Sequence, residues 1–355
     1  MKGKKMLVSF ALITMLAILA ACGSDNADEG DAEGEEFDVG FSIKTQDSPY
    51  FVTLVETIEE LGEEKGWNVE VLDANSDTTK EQENMNTFIS QDKDLIFVDA
   101  IEPDAIVPSV NKAAEEDIPV IALDSGVDEE ADAVTTVYSD NEENGRLVGL
   151  EYGEEMEDEE IKAVLMSGAK GNIAGKERRT GLFAGIIESK TDMSEEEAWE
   201  ESFDFDDRIS SDGKATQEEA DFTVVGQGWG NWTEEEGLTG SEDLITANED
   251  ITTVLGENDQ MLFGAETALS NSGIEDDVDL VAGADGAHEA MDLIKEGEYF
   301  GTGLNSPIQV AEDGIEIGEE ILVDEKDPDS YDEITLTEPA GVTEDNVDEY
   351  YDLGF

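Results

Sequence analysis

Short apolar runs, each ending in a polar side chain, alternate with segments whose apolar residues recur every three to four positions. This alternation fills nearly the whole chain. The first unit is typical: Phe37–Ile43 (FDVGFSI) reads as a strand, and Phe51, Leu54, Val55, Ile58 and Leu61 then recur at helical spacing. A chain that keeps alternating strand and helix closes into parallel sheets with crossover helices, so the expected class is α/β with doubly wound sheets. Between strand and helix lies Thr45-Gln46-Asp47-Ser48-Pro49-Tyr50-Phe51. That stretch occupies the carboxyl end of a strand, where crevices of open α/β sheets take ligands. On this stretch by itself the aromatic pair fits a binding platform and a plug over the core equally well.

The rhythm continues through strands at Trp67–Leu72, Leu95–Val98, Pro119–Leu123 and Ala133–Tyr138, the third ending at Asp124 and the last in Ser139-Asp140-Asn141. It then restarts with a helix over Glu142–Met156 and further strands at Ile161–Met166, Thr223–Gln227, Ile251–Leu255, Val278–Ala282 and Tyr299–Leu304. Two full runs of the pattern predict two lobes. Residues 189–221 break the period and are read as a solvated acidic insertion. Asp204, Asp206 and Asp207 within it match no defined calcium loop, and the acidic segment Val323–Glu333 is read the same way. No metal site and no cofactor motif is assigned.

The ends are read separately. Lys2, Lys4 and Lys5 precede an apolar run too short for a permanent span, so 1–21 is a signal peptide. Leu19-Ala20-Ala21-Cys22-Gly23 resembles a bacterial lipobox, which implies cleavage before Cys22 and a lipid anchor on its sulfur. Cys22 is the single cysteine, so no internal disulfide forms. Residues 22–36 are acidic and glycine-containing, an expected flexible tether. After cleavage 16 Lys and Arg face 93 Asp and Glu, a formal −77. Such a surface excludes nucleic acid as partner. It suits high salt, where screening acts over only about 3 Å, and it destabilises the fold through self-repulsion at low salt.

The strand ends also collect a chemistry. Asp47, Ser48, Tyr50, Phe51, Asp124 and Ser125 follow strands of the first half, Asn258, Asp285 and Asn305 follow strands of the second, and Arg178 and Trp232 lie in its connections. Carboxylates and amides pair with adjacent hydroxyls that both donate and accept, and aromatic faces pack on C–H surfaces. Together they describe a site for a monosaccharide or polyol.

The stretches SPYFVTL, IPVIALDSG, SDNEENGRLVG, AGKERRTGL, GENDQM, VAGADG and TGLNSP, in this order, are similar to those of bacterial sugar-binding receptors of ABC importers, the ribose-binding type of periplasmic-binding-protein fold I. The resemblance spans about Phe37 to Thr337. It implies that Tyr50 and Phe51 on one side and Trp232 on the other sandwich the sugar. It also implies that Asp124, Arg178, Asn258, Asp285 and Asn305 bind hydroxyls, with Asp47 or Ser48 at the polar position before the proline. Ser125 stands where the family often has arginine, Ser48 where an amide is common, and Asn305 where ribose-specific members have glutamine, so ribose itself is not implied. Three interlobe crossings are implied, near Ser139/Asp140, Asn305/Ser306 and Asp332–Ile334. One lobe is then 37–139 plus 306–333 and the other 140–305 plus 334–355, closing by a hinge motion. The implied protein is a monomeric extracytoplasmic lipoprotein that delivers its ligand to ABC permease subunits; delivery to a chemoreceptor or sensor kinase is the alternative. An enzyme is disfavoured, because the single histidine, His288, lies on an amphipathic helix expected at the surface and no cysteine remains for nucleophilic work. A sugar-responsive transcription regulator would need positive charge that this chain lacks.

Overall fold

The computed structural model describes residues 37–355. The expected signal peptide 1–21, the expected lipidation site Cys22 and the expected tether 22–36 lie outside the described residues. The chain first lays down β1 (Asp38–Ile43), α1 (Pro49–Lys65), β2 (Asn68–Asp73), α2 (Thr78–Ser90), β3 (Leu95–Val98), α3 (Val107–Glu115), β4 (Val120–Leu123) and β5 (Thr135–Tyr138). A second series follows: α4 (Asn141–Glu155), β6 (Ile161–Ser167), α5 (Ile173–Lys190), α6 (Glu195–Asp212), β7 (Ala215–Gln217), β8 (Phe222–Trp229) and α7 (Glu234–Ala247). It continues through β9 (Thr253–Gly256), α8 (Asp259–Ser272), β10 (Asp279–Asp285), α9 (His288–Glu296) and β11 (Gly301–Leu304). The chain closes with α10 (Pro307–Leu322), β12 (Ile334–Leu336), β13 (Gly341–Thr343) and α11 (Val347–Tyr350).

These strands form two sheets, in the orders β12-β5-β4-β3-β1-β2 and β13-β11-β10-β9-β6-β8-β7. The first is parallel throughout. In the second only the edge strands β13 and β7 run antiparallel to their neighbours. Parallel strands buried on both faces read as continuous apolar runs, and β3 (LIFV) and β4 (VIAL) are buried at every position. Their alternation still sorts the core. Leu95 and Phe97 face the cluster of α1 and α10, while Ile96 and Val98 face that of α2 and α3. The second sheet divides likewise, with Ala163 and Leu165 packing with α4, α5 and α6, and Val164 and Met166 with α7, α8 and α9.

Two expectations are corrected. Residues 189–221 are not a solvated insertion, because α6 fills most of them. Ser194 and Glu197 form a capping box at its start and Gly213, at φ 75°, ends it. Ala198, Ser202, Phe205, Asp206 and Ile209 are buried at helical spacing, and Phe205 stacks 4.8 Å from Phe222. A serine and an aspartate inside the buried stripe hide the period. Asp206 is accommodated there because Arg179 pairs with it at 2.6 Å. Secondly, the return to the second sheet lies later than Asp332–Ile334. Residues 334–336, expected in the second lobe, form β12 parallel to β5 in the first sheet, and the chain joins the second sheet only at β13. As an edge strand β12 leaves Ile334 and Leu336 exposed, so it carries no burial signature.

Helices α4 and α5 meet at backbone distance. A Cβ on Gly149 would lie 2.5 Å from the Leu182 carbonyl oxygen, and one on Gly145 2.4 Å from that of Arg178. This contact sets the position of α5 and with it Arg178. Gly149→Ala should therefore lower the stability of the fold by about 1–3 kcal/mol through overpacking, measured by thermal unfolding. An unchanged midpoint would mean that the helices separate freely.

Candidate ligand-binding site

At the carboxyl end of β1 the chain turns through Lys44 to Ser48, and Pro49 opens α1 at a position where its missing N–H costs nothing. Ser48 is the N-cap by backbone, yet its hydroxyl makes no capping bond. Tyr50 is buried, and Phe51 meets it edge-on at 5.3 Å. Asp47 is exposed and stands apart from this group; its backbone N–H donates to the Thr45 hydroxyl.

The centre of the first-sheet cluster is Lys44, which motif reasoning passed over. Its ammonium lies 2.9 Å from Asp124 Oδ2, 3.1 Å from Asp99 Oδ1 and 2.5 Å from Ser125 Oγ, and 4.4 Å from the centre of the Phe51 ring. Asp99 is fully buried at the end of β3, and its backbone N–H donates to the Ser42 carbonyl. Burial pulls the Lys44 ammonium toward neutrality, but Asp124 and Asp99 outweigh it and raise its pKa above the ordinary value. Burial likewise pushes Asp124 up, and the ion pair with Lys44 reverses this, so Asp124 sits below the usual carboxylate value. Asp99 is pushed up to about 7, chiefly by burial, with Lys44 opposing.

The second-sheet cluster is built on Arg178. Its Nη1 donates to Asp285 Oδ1 at 2.8 Å and to the Glu257 carbonyl at 3.2 Å, and Nε donates to Asn141 Oδ1 at 2.7 Å. The guanidinium stands 5.6 Å from the Trp232 ring centre. Trp232 lies directly over Gly168, where a Cβ would come within 2.1 Å of the indole. Asn258 caps α8 through Met261 N–H, and its amide reaches the Trp232 carbonyl at 3.4 Å. Behind them Asp259 is buried and accepts from the backbone N–H groups of Asp285, Gly286 and Ala287 and from the Tyr299 hydroxyl, fixing the turn that presents Asp285.

Asn305 links the two clusters. Its backbone N–H donates to the Asp285 carbonyl at 2.9 Å, and its Oδ1 accepts from the Tyr50 hydroxyl at 3.4 Å. The structure thus gathers Tyr50, Phe51, Asp124 and Ser125 on one side, and Arg178, Trp232, Asn258 and Asp285 on the other. Lys44, Asp99, Asn141 and Asp259 were not expected as site residues, although Asn141 and Asp259 lie within SDNEENGRLVG and GENDQM. Asp99 ends an apolar strand just as Asp124 does and was open to the same rule. Lys44 offered only its place directly after β1. His288, expected at the surface, is half-buried with its ring 4.8 Å from that of Tyr351. Every predicted site residue except Asp47 and Ser48 has a partner or a neighbouring ring within one of the two clusters or sits at their junction; Asp47 is exposed, and Ser48 is half-buried with no side-chain cap bond.

Two outcomes follow from the ion triad. Lys44→Met leaves two carboxylates facing each other without a counter-charge and should cost about 3–5 kcal/mol in unfolding free energy; a loss too small to measure would show that the triad is not coupled. Asp99, with its folded pKa raised to about 7, holds a proton in the native state that the unfolded chain has released. Its contribution is present below about pH 4 and lost as pH rises through about 7. In molar salt the stability of the wild type should fall over this window relative to Asp99→Asn. Parallel curves would remove the assigned shift.

A family model described as a periplasmic binding protein domain matches residues 39–326. The ribose import binding protein of Bacillus subtilis (strain 168) is 27% identical over 322 residues, covering 90% of this chain and 93% of the relative. A D-apiose import binding protein of Actinobacillus succinogenes is 25% identical over 253 residues, 71% of each chain. Among solved structures, a solute-binding protein of Actinobacillus succinogenes 130z with bound D-allose superposes with TM-score 0.72 at 22% identity, covering 89% of this chain and all of that one. One from Bacillus halodurans C-125 with bound myo-inositol gives 0.69 at 21%, covering 90% and 99%. With the family model matched over most of its length, the chain belongs to the periplasmic binding protein family.

Proposed function

We propose that the chain is an extracytoplasmic solute-binding lipoprotein, anchored through Cys22, that takes a monosaccharide or polyol between two lobes and delivers it to an ABC importer. The lobes are 37–139 with 306–336, and 140–305 with 341–355, joined by three crossings. The carrying observation is the pair of clusters meeting at Asn305, each with a carboxylate held by its own cation. Lys44 and Arg178 are already engaged by protein carboxylates, which favours an uncharged ligand over a sugar acid or phosphate. Tyr50, Phe51 and Trp232 supply apolar faces for the C–H surface of a ring. The carboxylate and amide oxygens of Asp124, Asp285, Asn258 and Asn305 supply acceptors for its hydroxyls. The ligands named for similar proteins, ribose, apiose, allose and myo-inositol, support the class of neutral polyhydroxyl compounds. Binding is completed by hinge closure, and no bond is made or broken. The protein works as a monomer in high salt, where its acidic surface is screened.

The test is thermal unfolding of the chain from residue 23 onward, in about molar salt, against pentoses, hexoses and polyols. A ligand present at a thousand times its Kd adds about 4 kcal/mol to stability. One compound should give such a shift, and Asp285→Ala should abolish it. A flat panel from folded protein would contradict the sugar-receptor reading.

A further inference from the structure

Residues 351–355 leave α11 and fasten onto α9. The Tyr351 ring lies 4.8 Å from that of His288, its hydroxyl donates to Asp292 at 3.0 Å, and Lys295 Nζ stands 3.7 Å from its ring centre. Gly354 passes so close that a Cβ there would lie 2.9 Å from the Gly286 carbonyl oxygen and 3.1 Å from His288. The His288 backbone N–H donates to the Phe355 carbonyl at 2.9 Å. The segment is therefore fixed to the second-sheet side, next to the turn that carries Asp285.

Its last ring nevertheless crosses over. Phe355 meets Tyr50 edge-on, 5.4 Å between centroids at 88°. It packs at once against the second-sheet apolar cluster, to which Ala287 and Met291 belong, and the first-sheet cluster, to which Tyr50, Leu54 and Val310 belong. Beside it the Ser306 hydroxyl donates to the Leu353 carbonyl at 2.7 Å, and Tyr50 donates to Asn305. Tyr50, Phe355 and Asn305–Ser306 so form one closed circuit of contacts across the two sheets. Phe51 also meets the Tyr50 ring in an edge arrangement, 5.3 Å between centroids.

We propose that Phe355 is a positioning residue for the ligand site: it clasps Tyr50 from the opposite lobe in the closed arrangement and thereby contributes to ligand affinity without touching the ligand. The proposal rests on the receptor reading above. A contact made in the closed arrangement and lost in the open one shifts that equilibrium, and binding that requires closure gains by the same factor. The worth of an aromatic edge contact corresponds to about a 3- to 10-fold change.

The experiment uses the chain from residue 23 onward in molar salt, with fluorophores on cysteines introduced at Glu60 and Glu235, one exposed position on each side. Wild type, Phe355→Ala and Phe355→Trp are compared with D-ribose, D-allose and myo-inositol as probes, taking whichever shifts unfolding most. Phe355→Ala should raise Kd about 3- to 10-fold, chiefly through faster dissociation, and widen the mean label distance without ligand. Phe355→Trp should restore both. If Phe355→Ala proves poorly folded, Phe355→Leu takes its place. A lowered melting temperature with Kd and label distance both unchanged would reduce the segment to a structural cap and overturn the proposal. If no probe binds the wild type, the receptor reading fails, and the ligand-free label distance still decides the clasp: wider in Phe355→Ala supports it, unchanged overturns it.

Discussion

The site depends on the placement of a cation between carboxylates at the ends of parallel strands. On a chain with 93 acidic residues and 19 basic ones, a cleft edged by more carboxylates would be self-repelling. Lys44 resolves this on the first sheet by standing between Asp99 and Asp124, and Arg178 does so on the second by holding Asp285. Removing either cation would strand buried negative charge, the costly half of a buried ion pair. The same pairing fixes which carboxylate oxygens remain open, so the charge balance of the fold and the orientation of the site are one problem.

Much of this was legible in the residues. The alternation of β3 and β4 with helices of helical period could only close as a parallel sheet, and the strand-end rule found Asp124, Asp285 and Asn305. What it missed has physical causes. The buried stripe of α6 contains Ser202 and Asp206, because Arg179 supplies the compensating charge from another helix, and no local pattern shows that. Edge strand β12 has an exposed isoleucine and leucine, so pairing with β5 left no trace in burial. Lys44 is defined by two carboxylates 55 and 80 residues further on, a relation that exists only after folding. Asp47, polar and well placed in sequence, lies on the exposed part of its loop.

The backbone approach of α4 to α5 and the Asp259 network serve the same end at longer range. Glycines let α5 sit against α4, which sets Arg178, and Asp259 draws together the three successive N–H groups that begin at the last residue of β10, which sets Asp285. Neither group needs to touch a ligand to determine where its hydroxyls would go. The two preformed halves meet at Asn305, through the Tyr50 hydroxyl on one side and the Asp285 carbonyl on the other.

The most direct measurement is a crystal structure with the compound that most stabilises the protein. A ring is expected between Tyr50 and Phe51 on one side and Trp232 on the other. Its hydroxyls should lie on Asp124, Asp285 and Asn305, with Lys44 and Arg178 keeping their carboxylate partners. A ligand seated elsewhere, or one whose charge displaces Asp124 from Lys44, would contradict it.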